Sequence, residues 1–400
     1  MKFLFEDESF SFETLRTVGF ANYCGADLGE VIVTARAIPE GDEIAWLKEW
    51  EDLADRIAKI GEKSLAAGHH VSAREAFFRA SNYYRTAEFY KRANPVDDAD
   101  VARLSGRSTQ TFIQAAQLLD TPFEIIEIPY EGTTLPGYLF LADNSGEAKP
   151  TIIYNNGFDS TQEESYFAIG AAALSRGYNV LAFDGPGQGA AIRKSKLNFR
   201  HDWEKVITPV VDYALTRKEV AADKIALFGY SLGGYLVARA AVYEHRPAAI
   251  ILDDGILDFH AAFEHMLPPF LVSWIHEPKS DEADTVIRLM MANTTSARWA
   301  MQNGMWTFGV STPSEFVRKC KLYTLADIAG EIKAATLVLE AENDMFLKGQ
   351  PEAIYAALNS PKQLVKLTEA EGAGEHCHFG AMYRAHQTIF DWLDGTLAGI

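Results

Sequence analysis

The stretch that decides the fold of this chain lies between an apolar segment and a segment of small residues: Gly229-Tyr230-Ser231-Leu232-Gly233. Residues 225–228 are apolar and residues 234–243 have a helical pattern, so the order is strand, sharp turn and helix. The glycines are required because a side chain at Gly229 or Gly233 would collide with the neighbouring strand or helix. We therefore predict that the turn is strained and presents Ser231 as a nucleophile, above the sheet and at the N-terminus of a helix.

A serine hydroxyl is a weak nucleophile until an imidazole takes its proton, and that imidazole needs a carboxylate to orient it. The buried strand pattern of residues 335–341 is followed by two acidic residues, Glu342 and Asp344. We predict Asp344 as the acid because it lies at the tip of the loop. Glu342 is the alternative.

The base is expected further along the chain, since the expected order is serine, acid and then histidine. A helical pattern over 351–358 and a strand pattern over 363–368 are followed by a glycine-containing loop that carries His376 and His378. The two histidines are two residues apart, so one of them is expected to face Ser231. We predict His376 as the base and interpret His378 as a capping or pocket residue.

Backbone donors for an oxyanion are expected in the loop after the strand of residues 151–154 and directly after the nucleophile. We assign these two donors to the N–H groups of Phe158 and Leu232. Gly157 would allow the close approach of the backbone. Asn156 stands where a histidine is usual, which changes the hydrogen bonding of the loop but not its backbone donors.

A second glycine-rich loop, residues 184–189, follows the strand pattern of residues 178–183. It has neither the Lys-Ser/Thr of a phosphate-binding loop nor the spacing of a dinucleotide-binding motif. We therefore interpret it as a tight structural turn. No cofactor and no metal are expected, because the three cysteines are too few and too scattered for a zinc site or a disulfide framework.

The composition is that of an ordinary globular protein with an acidic surface. The 400 residues carry a formal net charge of -18, and the sequence pI is about 5.0. This charge argues against nucleic acid or an anionic membrane as a partner. The N-terminus has no signal-peptide pattern and no apolar run reaches the length of a membrane span, so a cytoplasmic protein is expected.

Strand and helix patterns alternate after residue 121, which predicts an α/β fold with a mainly parallel central sheet. We divide the chain into a helical N-terminal region that caps the core or forms a dimer interface (1–120), a first core part (121–258), a helical lid insertion (259–332) and a second core part (333–400). The insertion is rich in Met, Phe and Trp, which suits a pocket for a large, partly aromatic ligand. The predicted substrate-binding residues are Tyr230, Trp299, Met305 and Trp306.

Several longer motifs resemble one family. They are A-F-F-R-A-S-N-Y-Y-R-T-A-E-F-Y (76–90), N-G-F-D-S-T-Q-E-E (156–164), F-D-G-P-G-Q-G (183–189), G-Y-S-L-G-G-Y (229–235), N-G-M-W-T-F-G (303–309) and G-A-G-E-H-C (372–377). Together they resemble the α/β-hydrolases with a helical N-terminal domain, which include 2,6-dihydroxypseudooxynicotine hydrolase and fungal polyketide-shortening (naphthopyrone) hydrolases. The resemblance implies a cytosolic, homodimeric enzyme that cleaves C–C bonds next to ketones or hydrolyses esters. Ser231, Asp344 and His376 match the triad positions of that family.

Three functions remain open at this point. The first is hydrolysis of a C–C or ester bond in a bulky aromatic or polyketide-like small molecule, through an acyl-enzyme. The second is a general carboxylesterase or peptidase-like hydrolase. The third is a non-hydrolytic role, as a cyclase, an acyltransferase or a ligand-binding pseudoenzyme. The triad is the same for the enzymatic options, so its residues do not select among them.

Overall fold

The core of the protein is one eight-stranded sheet. The computed structural model describes residues 2–277 and 279–399. The strands are β1 (Phe123–Tyr130), β2 (Thr133–Phe140), β3 (Lys149–Asn155), β4 (Asn179–Phe183), β5 (Val220–Tyr230), β6 (Ala249–Asp253), β7 (Ala335–Ala341) and β8 (Lys362–Leu367).

The strand order across the sheet is β1-β2-β4-β3-β5-β6-β7-β8. The hairpin of β1 and β2 is antiparallel, β2 pairs antiparallel with β4, and all remaining pairs are parallel. The predicted α/β fold with a mainly parallel sheet is confirmed. Because the carboxyl ends of parallel strands lie at one edge, the loops after β3, β5, β6 and β7 meet there.

Within the described residues, five α-helices precede the sheet, and aspartates begin four of them. Asp7, Asp27, Asp42 and Asp98 each accept hydrogen bonds from backbone amides of the first helical turn, which satisfies donors that have no partner inside the helix. Large aromatic side chains such as Trp46 fill the space between these helices. The helices are α1 (Glu8–Gly19), α2 (Leu28–Ala35), α3 (Glu43–Ala66), α4 (His70–Glu88) and α5 (Ala99–Ala116).

Helices also cover both faces of the sheet and fill the interval between β6 and β7. Helices α6 (Ala171–Leu174), α7 (Gly189–Ser195), α8 (Glu204–Leu215) and α9 (Leu232–Ala241) alternate with the strands. The interval between β6 and β7 holds α10 (Phe259–His265), α11 (Pro269–His276), α12 (Ser280–Asn293), α13 (Thr295–Phe308) and α14 (Pro313–Cys320). Helices α15 (Gln350–Ala357) and α16 (Met382–Leu397) complete the chain.

The long helices of this fold are amphipathic rather than uniformly apolar. Helix α3, for example, buries one face and exposes the other. Among the residues that the structure describes, no helix combines the length and the apolar character needed to cross a membrane.

Candidate active site

The turn between β5 and α9 holds Ser231 in a rare backbone conformation, with φ 58° and ψ -123°. This is a region that costs a non-glycine residue free energy, so the surrounding structure must hold it there. A Cβ at Gly229 would lie 2.2 Å from the carbonyl oxygen of Gly233, and one at Gly233 would lie 2.6 Å from that of Asn155. Neither glycine position therefore has room for a side chain, and the tight turn keeps the serine at the carboxyl end of β5.

Three predicted site residues form a continuous hydrogen-bonded series. Ser231 Oγ lies 2.8 Å from His376 Nε2, and His376 Nδ1 lies 2.7 Å from Asp344 Oδ2. His376 and Asp344 are buried, whereas Ser231 is partly exposed. In this arrangement His376 can take the proton of the serine while Asp344 accepts a hydrogen bond from the other ring nitrogen.

The two alternatives from the sequence occupy other places. His378 is directed away from the serine, with Nδ1 2.9 Å from the carbonyl oxygen of Ala373 and Nε2 3.2 Å from Asp253 Oδ1. Glu342 is exposed and accepts a hydrogen bond from the backbone N–H of Glu369. The geometry thus places His376 and Asp344, rather than these residues, next to Ser231.

A second carboxylate, which the sequence interpretation missed, also faces the imidazole. Asp254 is fully buried, and its Oδ2 lies 3.0 Å from His376 Nδ1. The same oxygen accepts a hydrogen bond from the backbone N–H of Cys377 at 3.2 Å. The available signal was the pair of aspartates directly after the apolar run of β6, at the sheet edge where the triad lies.

The three ionisable groups alter one another's pKa values. Burial lowers the pKa of His376, but the charge of Asp344 and the hydrogen bonds to Asp254 and Asp344, acting together, raise that pKa above its ordinary value. Burial alone would raise the pKa of Asp344, yet the charge and hydrogen bond of His376 lower it. Burial and the charge of Asp344 raise the pKa of Asp254 to about 7. The site therefore stabilises an imidazolium, and the pKa of the second carboxyl group lies near neutral pH.

The loop after β3 packs directly against the turn that holds Ser231. A Cβ at Gly157 would lie 2.7 Å from the carbonyl oxygen of Tyr230 and 2.9 Å from Ser231 Cβ. Only a glycine therefore allows this approach, which brings the peptide unit of Phe158 beside the serine. The side chain of Asn156 donates to Asp184 Oδ1 at 2.7 Å, so it faces away from Ser231 and stabilises the loop from behind.

A cavity of about 300 Å³ opens above the serine. Ser231 and His376 lie in its wall, and most of the remaining surface is apolar. Helix α1, the β3 loop and helices of the 259–332 segment all contribute to it. Side chains that line it include Phe12, Glu13, Phe158, Phe259, Phe263, Met290, Trp299, Met301 and Phe346.

The predicted substrate-binding residues divide into two pairs. Tyr230 and Trp299 line the cavity, whereas Met305 and Trp306 lie outside its lining. Trp306 lies two helical turns beyond Trp299 on α13, which is about 10 Å along the axis and past the end of the cavity. Its ring instead contacts the guanidinium groups of Arg92 at 5.5 Å and Arg193 at 5.4 Å. Met305 packs into the apolar core below.

Potential metal ligands gather near Ser231 and His376 and on two helices between β6 and β7. Near the triad, Asp254, His376 and Cys377 come within 4.8 Å of one another, but the histidine already pairs with Ser231 and Asp344. On α10 and α11, Glu264 Oε1 lies 3.1 Å from His260 Nε2 and 2.7 Å from His276 Nε2. Glu264 shares a hydrogen bond with His276 and lies within ion-pair distance of His260, and the proposed chemistry of Ser231, His376 and Asp344 does not call for a metal.

A strained serine after a parallel strand, an imidazole and carboxylates from later loops, and an apolar cavity above them define a hydrolase of the α/β type. The sequence matches the description "Alpha/beta hydrolase family" over residues 156–387 and "Esterase FrsA-like" over residues 40–263. The chain belongs to the alpha/beta hydrolase family, and it is a hydrolase.

Fungal hydrolases are similar over nearly the whole length. Hydrolase LUC6 of Fusarium sp is 35% identical, with 98% of this chain and 97% of the relative covered. The 20-hydroxy-prefusarin hydrolase FUS2 of Gibberella moniliformis is 34% identical, with 99% and 98% covered. Among solved structures, 2,6-dihydroxy-pseudo-oxynicotine hydrolase has the same fold, with a TM-score of 0.75, 24% identity and coverage of 95% of this chain and 96% of that chain.

Proposed function

We propose that the chain is a serine hydrolase that cleaves a C–C or ester bond in a bulky, largely apolar small molecule through an acyl-enzyme. The observation that carries this proposal is the series Ser231, His376 and Asp344, which is hydrogen-bonded at 2.8 Å and 2.7 Å and borders an apolar cavity of about 300 Å³. A cavity of this size and character suits a drug-sized ligand rather than a short acyl chain.

In the proposed reaction, His376 takes the proton of Ser231 as the serine oxygen attacks a carbonyl carbon. The backbone N–H groups of Phe158 and Leu232 stabilise the oxyanion. When the intermediate collapses, the bond to the leaving group breaks and the leaving group takes the proton from His376. Water then attacks the acyl-enzyme, giving one proton to His376, which returns it to Ser231.

The same cycle serves both bond types, but C–C cleavage demands more of the substrate. The leaving group is then a carbanion, which must be stabilised as an enolate or a phenol-like ring. A β-diketone or an acylated phenol meets this requirement. The resemblance to fungal polyketide hydrolases supports a substrate of this kind, because polyketides carry such carbonyl groups.

The alternatives differ in products rather than in the triad. A general esterase or peptidase-like enzyme would process small esters or amides as well as bulky ones, whereas a cyclase would release a product without added water. A binding protein would not need the reactive serine. A homodimer and a cytoplasmic location belong to the same proposal, since the family resemblance implies both.

The test is labelling by a fluorophosphonate with mass spectrometry, on the wild type and Ser231→Ala, together with turnover of a p-nitrophenyl ester and an aryl β-diketone. We expect labelling at Ser231 only in the wild type and turnover of the diketone well above the ester, because the cavity is large and apolar. Ester turnover alone would favour the esterase. Absence of labelling, or a Ser231→Ala variant with full activity, would overturn the proposed mechanism.

A further inference from the structure

The oxyanion loop is held by side chains from outside it. Gln188, in the glycine-rich loop after β4, donates through Nε2 to the carbonyl oxygens of Asn156 at 2.6 Å and Gly157 at 3.1 Å. Asn303 on α13 donates through Nδ2 to the carbonyl oxygen of Phe158 at 3.1 Å. The two amide side chains therefore hold the peptide units on either side of Phe158.

The hydrogen bonds to these carbonyl oxygens affect the proposed oxyanion donor because a peptide unit is planar. The carbonyl of Gly157 and the N–H of Phe158 belong to one such unit and point in opposite directions. A donor that holds the carbonyl therefore also sets the direction of the N–H. A second donor on the carbonyl of Phe158 prevents rotation of the next unit.

Each amide side chain is itself oriented by a second hydrogen bond. Gln188 Oε1 accepts from the backbone N–H of Gly185 at 3.0 Å. Asn303 Oδ1 accepts from Arg92 Nε at 3.0 Å. Because each oxygen already has its donor, the NH₂ group of each side chain must face the oxyanion loop. Both side chains are almost completely buried, so water cannot replace these contacts without cost.

Arg92 connects this arrangement to the N-terminal helices. It follows α4, and its Nη1 donates to Glu88 Oε1 at 2.8 Å. Glu88 also accepts from Arg193 Nη2, at 2.9 Å, and the two guanidinium groups contact Trp306. The segment before the sheet and the helices between β6 and β7 thus meet at the oxyanion loop.

We infer that Gln188 and Asn303 are positioning residues that hold the Phe158 N–H toward the reacting oxygen, with Arg92 orienting Asn303. The inference rests on the proposed function, since it concerns the oxyanion hole of that reaction. Neither residue touches the reacting atoms, so each acts on the transition state through the backbone. The glycine-rich loop after β4 therefore supports the active site through Gln188.

The primary test is Asn303→Asp, which keeps the shape and the acceptor for Arg92 but removes the donor to Phe158. We expect kcat on the p-nitrophenyl ester to fall about tenfold to hundredfold, below the loss from deleting an oxyanion donor itself, with KM changed by no more than about threefold. Affinity for an aryl trifluoromethyl ketone, whose hemiketal oxyanion would occupy the hole, should fall by the same factor.

The matched control is Asn293→Asp, an exposed asparagine on α12 that bonds only within its own helix, and it should leave all three quantities unchanged. If Asn303→Asp does not fold, Gln188→Met provides the same comparison. The inference would be overturned if kcat stayed unchanged while the KM for the ester and the dissociation constant of the ketone rose by the same factor. Turnover by Ser231→Ala would refute the proposed function instead, so the two failures are distinguishable.

Discussion

At the scale of single residues, His376 has two carboxylates at one ring nitrogen. Asp344 lies 2.7 Å and Asp254 3.0 Å from Nδ1, which has one N–H to donate. Ionising two buried carboxylates this close together costs free energy, so they titrate as a pair together with the imidazole. His378 and the Cys377 thiol also face Asp254, and burial raises the pKa of that thiol, which keeps it neutral.

We predict that Asp254→Asn moves the acid limb of the pH profile of kcat/KM to lower pH. The base must be neutral to act, so activity is lost as pH falls through the pKa of His376. Removing a group that raises this pKa extends activity to lower pH.

Asp344→Asn should instead lower kcat by about 10⁴-fold, because the orienting acid is lost.

The measurement is kcat/KM with a p-nitrophenyl ester from about pH 4 to about pH 9, the range in which a histidine base titrates. Asp253→Asn serves as the control, since Asp253 pairs with His378 and not with the base. An acid limb at the wild-type position in Asp254→Asn would contradict the prediction.

At the scale of elements, α13 brings one tryptophan into the cavity and directs the next into a cluster of arginines. Trp299 stacks on Phe89 with ring centroids 4.6 Å apart and donates through Nε1 to the Phe89 carbonyl oxygen at 3.1 Å. The rings of Trp299 and Phe158 are nearly perpendicular, with centroids 5.9 Å apart. The helix thereby forms an apolar wall directly opposite the predicted oxyanion donor.

We predict that Trp299→Ala raises KM for the aryl β-diketone about tenfold or more, because a large apolar contact with the substrate is lost. Turnover of p-nitrophenyl acetate should change by less than about threefold, since that ester is too small to reach the wall. Steady-state kinetics with both substrates measure this selectivity. Met305→Ala, on the same helix but outside the cavity, should leave it unaltered; equal effects of the two variants would refute the assignment of this wall.

At the scale of the whole molecule, a buried group of charges connects the N-terminal helices to the sheet. Arg16 on α1 donates to Asp159 at 2.6 Å and to Glu164 at 2.7 Å. Arg85 on α4 donates to Glu13 at 2.9 Å. Three carboxylates thus share two buried guanidinium groups, and the burial of Glu13 raises its pKa.

We predict that Arg16→Met lowers the free energy of unfolding by about 3–5 kcal/mol, because it leaves buried carboxylates without their partner. Urea unfolding followed by circular dichroism measures this change. Arg103→Met is the control, since Arg103 pairs with Glu51 and Asp100 at an exposed site, and such pairs contribute only about 0–1 kcal/mol. A loss as small as that of the control would show that this charge cluster does not hold the helices to the core.

Local patterns were sufficient for the strands and for the order of the triad. Each predicted strand overlaps an observed one. The central strands were predictable because a strand buried on both faces is a short apolar run that ends at turn residues. The sequence predicted a helical region over 1–120 but not the bounds of α1 within it, although Asp7 precedes that helix as an N-cap, because its sequence mixes polar and apolar residues. The need for glycine on both sides of Ser231 was predictable, because the lack of space for a side chain there arises from residues close in the chain.

The sequence thus specified the fold class and the position of the serine turn, which depend on hydrogen bonding and sterics within a few residues. Only the tertiary structure decided which further side chains lie beside Ser231, Asp344 and His376. Asp254 reaches His376 because parallel strands end at one sheet edge, and Trp306 misses the cavity because α13 extends past it. Asn303 meets Phe158 from 145 positions away in sequence. Such contacts depend on how whole elements pack, and residue order does not reveal those distances.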